Sequence, residues 1–115
     1  MIGINRQARI WVCSKPVNMR KSFEGLSAVA RNGMGRDPLC GDLFLFIAAN
    51  RKQARVLFWD GQGFMIIAKQ LNHGKFNAPW KGDSSKPWQL TSAELALFLE
   101  GSRLAGHFEL SPREL

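Results

Sequence analysis

Three apolar runs separated by two short polar breaks, between Gly41 and Phe76, most constrain what this chain can fold into. The runs are residues 42–48, 54–59 and 64–68, and they are rich in Phe, Val, Ile and Trp. Apolar runs of about 4–8 residues bounded by Gly, Asn and Asp predict β-strands. Because the breaks are short, neighbouring strands should pair antiparallel as a meander. The first run is apolar at nearly every position, which predicts a central strand buried on both faces.

The break between the second and third runs is a specific turn signal. It reads Asp60-Gly61-Gln62-Gly63. Asp-Gly is a strong hairpin signal, because the central residues of a type I′ turn need positive φ. We therefore interpret Asp60 as a turn residue rather than as a catalytic acid.

Two helices are predicted to flank the meander. Asn18 is placed to cap a helix that begins at Met19. Gly25 within it either weakens the helix or marks a close contact. The apolar stripe at helical spacing consists of Met19, Phe23, Leu26, Val29 and Ala30. Residues 91–94, Thr-Ser-Ala-Glu, form a capping-box sequence that starts a second helix, and Gly101 is suited to end it.

Short extended segments complete the predicted elements. Residues 9–14 alternate as a strand does, and residues 87–90 form a further extended piece. The sequence therefore predicts a single α+β domain over residues 1–101, followed by a polar tail at 102–115. We expect an antiparallel β-meander of three to five strands with two packed helices.

The net charge of the chain is +7 and its estimated pI is 10.1. A field of that sign attracts phosphate polymers and anionic membrane surfaces. No apolar run approaches the roughly 18 residues of a membrane span, and no signal-peptide core is evident near the N-terminus. We therefore expect a cytoplasmic protein with no membrane partner, in which Cys13 and Cys40 stay reduced.

Catalysis needs a constellation of side chains, and the sequence shows none. A metal-dependent nuclease would need two or three converging carboxylates, but capping explains Glu94 and turn geometry explains Asp60. A zinc site from Cys13, Cys40, His73 and His107 matches no zinc spacing. We therefore predict no enzyme activity, no catalytic residues, no metal and no cofactor.

The constellation that does exist is basic, with aromatic residues among the charges. Basic side chains neutralise phosphates, and aromatic planes can stack on unpaired bases. The alternative interpretation is that the charges keep strand edges and turns soluble while the tryptophans fill the core. The candidate nucleic-acid-binding residues are Arg20, Lys21, Arg51, Lys52, Arg55, Trp59, Lys69, His73, Lys75 and Trp80.

Several segments, taken together, carry a family resemblance. They include NMRKSFEGL at 18–26, GDLFLF at 41–46 and VLFWDGQGF at 56–64, followed by Pro79-Trp80, Leu90-Thr91, Glu94-Leu95 and residues 99–101. In their order and spacing the chain resembles the TnpB-type accessory protein of the insertion sequence 66 family of bacterial mobile elements. The resemblance covers roughly residues 9–101.

The resemblance implies a small protein encoded beside a separate DDE-type transposase and needed for transposition, without an established catalytic role. We therefore expect a non-enzymatic accessory protein that binds element DNA, at the transposon ends, or the transposase complex. The alternative is an adaptor that docks the transposase without contacting DNA. Relatives carry larger or basic side chains where this chain has Ala48, Ala49, Ala68, Gln70 and His73. The difference predicts a weaker basic surface.

Overall fold

The sheet of this protein has five strands in the order β4-β3-β2-β1-β5. The computed structural model describes residues 8–81 and 88–100, and the bounds below refer to them. The strands are β1 (Ile10–Val12), β2 (Leu43–Ile47), β3 (Gln53–Trp59), β4 (Phe64–Gln70) and β5 (Trp88–Leu90). The helices are α1 (Phe23–Ala28), which continues as a π-helical segment (Val29–Gly33), and α2 (Ser92–Glu100). The predicted α+β fold is confirmed.

The first apolar run forms the central strand, as predicted. Every residue of β2 is buried, and none exposes more than 5% of its surface. Phe44 and Phe46 pack with Leu26 of α1 on one face of the sheet. Leu45 and its neighbours on the other face pack with Phe98 of α2. A strand covered by a helix on each face needs apolar side chains at every position, which explains the unbroken run.

The second and third runs continue as the predicted antiparallel meander. β3 pairs with both β2 and β4, and the hairpin closes at the Trp59–Phe64 pair. In the loop, Asp60 Oδ1 accepts hydrogen bonds from the N–H groups of Gln62 (2.9 Å) and Gly63 (3.0 Å). Only Gly61 of the four loop residues has a positive φ, 102°. The predicted turn is therefore present, but it is a four-residue loop rather than a type I′ turn.

The sheet is mixed, and the expectation of antiparallel pairing throughout was wrong at one position. β1 pairs parallel with β2, with Ile10 opposite Leu43, and antiparallel with β5. The chain between β1 and β2 crosses one face of the sheet through α1, and a crossover connection of that kind brings the next strand back parallel. The short outer strand β5 then closes the far edge beside β1.

Helix α1 begins one turn later than the sequence predicts. Asn18 does not cap it: Asn18 Oδ1 accepts a hydrogen bond from the Arg20 N–H (2.8 Å), and the Asn18 carbonyl accepts one from the Lys21 N–H (3.1 Å). These bonds close a tight turn ahead of Phe23. The later start also removes Phe23 from the predicted buried stripe, since 44% of its surface is exposed.

Gly25 marks a close contact, one of the two roles considered for it. A Cβ atom at Gly25 would lie 2.9 Å from Lys21 Cβ, nearer than side chains normally pack. The glycine therefore lets the Lys21 side chain lie against the first turn of α1.

The second helix starts as its sequence predicts. Thr91 Oγ1 accepts a hydrogen bond from the Glu94 N–H (3.1 Å), and the Thr91 N–H donates to Glu94 Oε1 (2.9 Å), which is a complete capping box. Phe98 stacks on Phe76 with the ring centroids 4.5 Å apart. The predicted end at Gly101 and the polar tail at 102–115 lie outside the described residues. Neither helix in the described ranges has the length and apolar character needed to cross a membrane.

Candidate nucleic-acid interface

Basic side chains gather at one end of the sheet, where β2 and β4 finish and β3 begins. Two chain segments meet there: the turn after β2 and the segment 71–76 after β4. The Leu71 N–H donates to the Lys52 carbonyl (2.8 Å), and the Phe76 N–H donates to the Arg51 carbonyl (2.6 Å). We call this region the basic end, and it contains Lys15, Arg20, Lys21, Arg51, Lys52, Arg55, Lys69, His73 and Lys75.

Arg51 joins the two chain segments of the basic end. Its φ is 61°, a left-handed conformation that residues other than Gly seldom adopt. Arg51 Nε donates a hydrogen bond to the carbonyl of Phe76 (2.8 Å), and that residue is fully buried. One of the five guanidinium N–H donors thus joins the two segments.

Arg55 connects the start of α1 to the sheet. Its Nη1 donates a hydrogen bond to the carbonyl of Lys21 (2.8 Å) across the face of β3. Together with the tight turn at Asn18, this bond places Arg20 and Lys21 beside the first residues of β3. Both of these side chains are exposed. The two basic clusters that are far apart in the sequence therefore share one surface.

The remaining predicted basic residues are exposed at the same end. Lys69 lies opposite Ala54 in the β3–β4 pair. Lys52, His73 and Lys75 project from the two joined segments, and all are exposed. Lys15 follows β1 and is exposed as well. Sequence reasoning missed Lys15, since only the parallel pairing of β1 with β2 brings it to this end.

The opposite end of the sheet carries Asp42 and Asp60. Asp42, directly before β2, accepts hydrogen bonds from the Arg9 N–H at Oδ1 (3.0 Å) and from the Trp11 indole N–H at Oδ2 (3.0 Å). Partial burial works to raise the pKa of Asp42, but the hydrogen bonds from Arg9, Trp11 and Cys40 outweigh it and leave the pKa lowered. Both carboxylate oxygens of Asp42 are thus used to join the loop before β2 to β1.

Asp60 likewise has a structural role, in the hairpin loop between β3 and β4. The N–H groups of Gln62 and Gly63, which bond its carboxylate, lower its pKa. Asp42 directly precedes β2 and Asp60 directly follows β3, so both lie away from the basic end. Asp42 and Asp60 therefore lie at the end opposite the basic end, where Arg9 and Arg36 lie near Asp42 and Trp11 as well.

The two candidate tryptophans both pack against other side chains of the fold, and Trp59 lies away from the basic end. Trp59 ends β3 beside the hairpin loop, about 13 Å along the strand from Arg55. Its ring makes an edge-to-face contact with Phe64, with the centroids 5.1 Å apart. Trp80 is partly buried and packs against the core cluster that contains Phe98. Trp80 thus packs against the core, whereas Trp59 is partly buried beside the hairpin loop.

The described ranges place no three His, Cys, Asp or Glu side chains together in a way that could hold a metal ion. Cys13 is buried and Cys40 is exposed, and both are free thiols. Burial raises the pKa of the Cys13 thiol, and partial desolvation together with the nearby Asp42 and Asp37 carboxylates raises the pKa of the Cys40 thiol. Each cysteine therefore favours its protonated, less nucleophilic form.

Comparison with known proteins assigns the chain to a family. Residues 8–107 match the family described as IS66 Orf2 like protein, TnpB_IS66. The chain belongs to this family. The IS66 Orf2-like proteins are accessory proteins of transposition, and no catalytic role is known for them.

Two curated relatives span nearly the same length. The uncharacterized protein y4jC of Sinorhizobium fredii (strain NBRC 101917 / NGR234) is 36% identical over 101 residues, which cover 88% of this chain and 85% of the relative. The uncharacterized protein y4hO of the same strain is 27% identical over 101 residues, covering 88% and 86%. No solved structure matches the chain.

Proposed function

We propose that this IS66 Orf2-like protein acts in transposition as a non-enzymatic factor that binds element DNA through its basic end. The observation that carries the proposal is the gathering of basic side chains from β1, the α1 turn, β3 and β4 on one surface. Exposed Lys and Arg side chains are the groups that neutralise DNA phosphates.

The charged side chains are distributed unevenly between the two ends of the sheet. Asp42 and Asp60 lie at one end of the sheet, while Lys52, Lys69 and Lys75 are exposed at the other. A polyanion is therefore attracted most strongly to the basic end, and the field orients the protein as it approaches.

A titration of binding against salt tests the proposal. The purified full chain is mixed with blunt duplexes of the element's terminal-repeat sequence and of random sequence, and the dissociation constant is measured over a range of salt concentrations. Each phosphate neutralised on duplex DNA contributes about −0.9 to the slope of log K against log salt. We expect a clearly negative slope on both duplexes. Absence of binding to either duplex at low salt would rule the proposal out.

The open edge of β4 favours a second candidate, an adaptor that docks the transposase. β4 is the outer strand of the sheet, and no strand within residues 8–81 and 88–100 lies along its outer row of backbone groups. Ile67 on this strand exposes 43% of its surface. An exposed apolar edge can accept a strand from another chain.

Two variants separate the adaptor from the DNA-binding factor. If the protein is an adaptor, Ile67→Lys should abolish co-purification with the transposase, while the double change Lys52→Ala/Lys69→Ala should leave it intact. A DNA-binding factor should show the reverse dependence for duplex affinity.

A further inference from the structure

A groove lies at the basic end, between the chain that leaves β1 and the turn that joins β2 to β3. Its volume is about 710 Å³, and it is lined by residues 16–20, 48–50, Gln53 and Arg55. The Val17 N–H donates to the Ile47 carbonyl (3.0 Å), which holds one wall of the groove against β2. The size falls within the range of about 300–1,000 Å³ that is typical of small-ligand sites.

The lining combines small apolar side chains with polar donors, and the described residues that form it include no carboxylate. Val17 and Ala48 are buried, and Ala49 is exposed. The polar side chains of the lining are the amides of Asn18, Asn50 and Gln53 and the guanidinium groups of Arg20 and Arg55. Such a lining disfavours a cation and suits a ligand with an anionic group, an apolar face and a polar edge.

Two of the side-chain amides are held in place by their oxygen atoms, which accept hydrogen bonds within the turns. Asn18 Oδ1 accepts from the Arg20 N–H, and Asn50 Oδ1 accepts from the Lys52 N–H, each at 2.8 Å. Each side chain therefore keeps the two N–H donors of its amide nitrogen for other partners. Because the turns already hold these side chains, little conformational freedom is lost when a ligand binds.

We infer that this groove holds one unpaired nucleotide of single-stranded DNA, or of a single-stranded extension on a duplex; the inference rests on the DNA-binding function proposed above. Arg20 contacts the phosphate, Asn50 and Gln53 hydrogen-bond the base edge, and the base packs beside the Arg55 guanidinium. Asn and Gln amides pair with base edges, and Arg planes stack on unpaired bases. A base inside a duplex is paired and stacked, so it cannot enter a concave site without leaving the helix.

The test compares three DNA probes of the same sequence: a blunt duplex, that duplex with a single-stranded extension, and the single strand alone. Affinities of the full chain are measured by fluorescence anisotropy at one salt concentration. Stacking and edge contacts to one nucleotide predict about tenfold tighter binding of the extended duplex than of the blunt duplex.

Two neighbouring glutamines provide a matched pair of variants. Gln53 and Gln70 lie opposite each other in the β3–β4 pair, but only Gln53 lines the groove. Gln53→Met keeps the length of the side chain and removes its hydrogen-bonding groups. It should reduce the tenfold preference for the extension to below about threefold and leave blunt-duplex affinity unchanged. Gln70→Met should change neither quantity.

A second pair of variants tests the groove without changing a strand residue, so the test still holds if Gln53→Met fails to fold. Ala49→Glu places a carboxylate in the groove at an exposed position, and Ala93→Glu adds the same charge at an exposed position on α2. Only Ala49→Glu should abolish the preference for the extension.

The outcomes distinguish the inference from the function on which it rests. Equal affinity for blunt and extended duplexes, or a preference that survives both Gln53→Met and Ala49→Glu, overturns the nucleotide site but leaves duplex binding by the basic end in place. Absence of binding to all three probes overturns both.

Discussion

Charged side chains are used differently at the two ends of the sheet. At the end where β2 begins, the Asp42 carboxylate is held by the Arg9 N–H and the Trp11 indole, and the Arg36 guanidinium lies 3.6 Å from the centroid of the Trp11 ring. At the basic end, Arg51 and Arg55 each bond a backbone carbonyl, while the lysines around them are exposed. The Asp42 and Arg36 side chains of the first end therefore make contacts that hold the fold together, whereas the lysines of the second end are exposed.

Within the basic end, two adjacent basic residues also differ in what their side chains contact. Arg51 and Lys52 are adjacent, yet Arg51 fastens the segment 71–76 with its side chain and Lys52 is exposed. Loss of binding in an Arg51 variant would therefore mix a structural effect with an electrostatic one. Lys52 and Lys69 report on the electrostatic contribution alone.

The largest effect on stability is expected at Asp42. Asp42→Ala removes the acceptor of two hydrogen bonds and leaves the indole N–H of the buried Trp11 without that partner. We expect the free energy of unfolding to fall by about 2–3 kcal/mol, measured by urea denaturation. Glu24→Gln, at an exposed carboxylate on α1, is the control and should change it by less than about 0.5 kcal/mol. Similar losses in the two variants would show that Asp42 has no special structural role.

Arg51 should show the next largest effect. Arg51→Ala removes the bond to the Phe76 carbonyl and should lower the free energy of unfolding by about 1–2 kcal/mol. Arg51→Lys should not restore it, because a lysine lacks the planar Nε donor. Lys52→Ala is the neighbouring control, with an expected change below about 0.5 kcal/mol. An unchanged free energy of unfolding in Arg51→Ala would refute the role of Arg51 in joining the two segments.

The hairpin loop offers a smaller and well-controlled effect. Gly61 has a φ of 102°, whereas Gly63 does not have a positive φ, and a Cβ atom at either residue would meet no atom within 4 Å. Gly61→Ala should therefore cost about 1 kcal/mol through backbone strain alone. Gly63→Ala should be close to neutral in the same denaturation assay. Equal costs at the two glycines would contradict the strain argument.

The pH dependence of stability should trace partly to Asp42. Its pKa in the folded protein is lowered from the ordinary value of 3.8. A group with a lowered folded pKa stabilises the fold above its ordinary pKa, and that stabilisation is lost as the pH falls through the folded value. The difference in unfolding free energy between the protein and Asp42→Asn should therefore be largest near neutral pH and shrink below pH 3.8. A difference that stays constant with pH would exclude this linkage.

Local patterns were sufficient for much of the fold. The unbroken run of β2 required burial on both faces, the Thr91–Glu94 spacing required a capping box, and Asp60-Gly61 required a turn. Each of these features depends on residues that are close in the sequence, so the sequence alone could indicate it.

Features set by distant contacts could not be predicted in this way. The parallel pairing of β1 with β2 depends on where α1 crosses the sheet, and this pairing brings Lys15 to the basic end. The bond from Arg55 to the Lys21 carbonyl, which accompanies the late start of α1, also joins residues that are far apart in the sequence. The positions of Trp59 and Trp80 follow from packing against Phe64 and the core, which charge and composition do not reveal.

The central claim is that the position of the basic charges, and not their number, determines DNA binding. Two double variants remove equal charge: Lys52→Ala/Lys69→Ala at the basic end, and Arg9→Ala/Arg31→Ala away from it. The salt dependence of blunt-duplex binding is measured for both variants and for the unchanged protein. We predict that the basic-end variant loses about 1.8 from the magnitude of the log–log slope, while the other variant keeps the original slope. Equal losses in the two variants would contradict the account, because binding would then follow net charge alone.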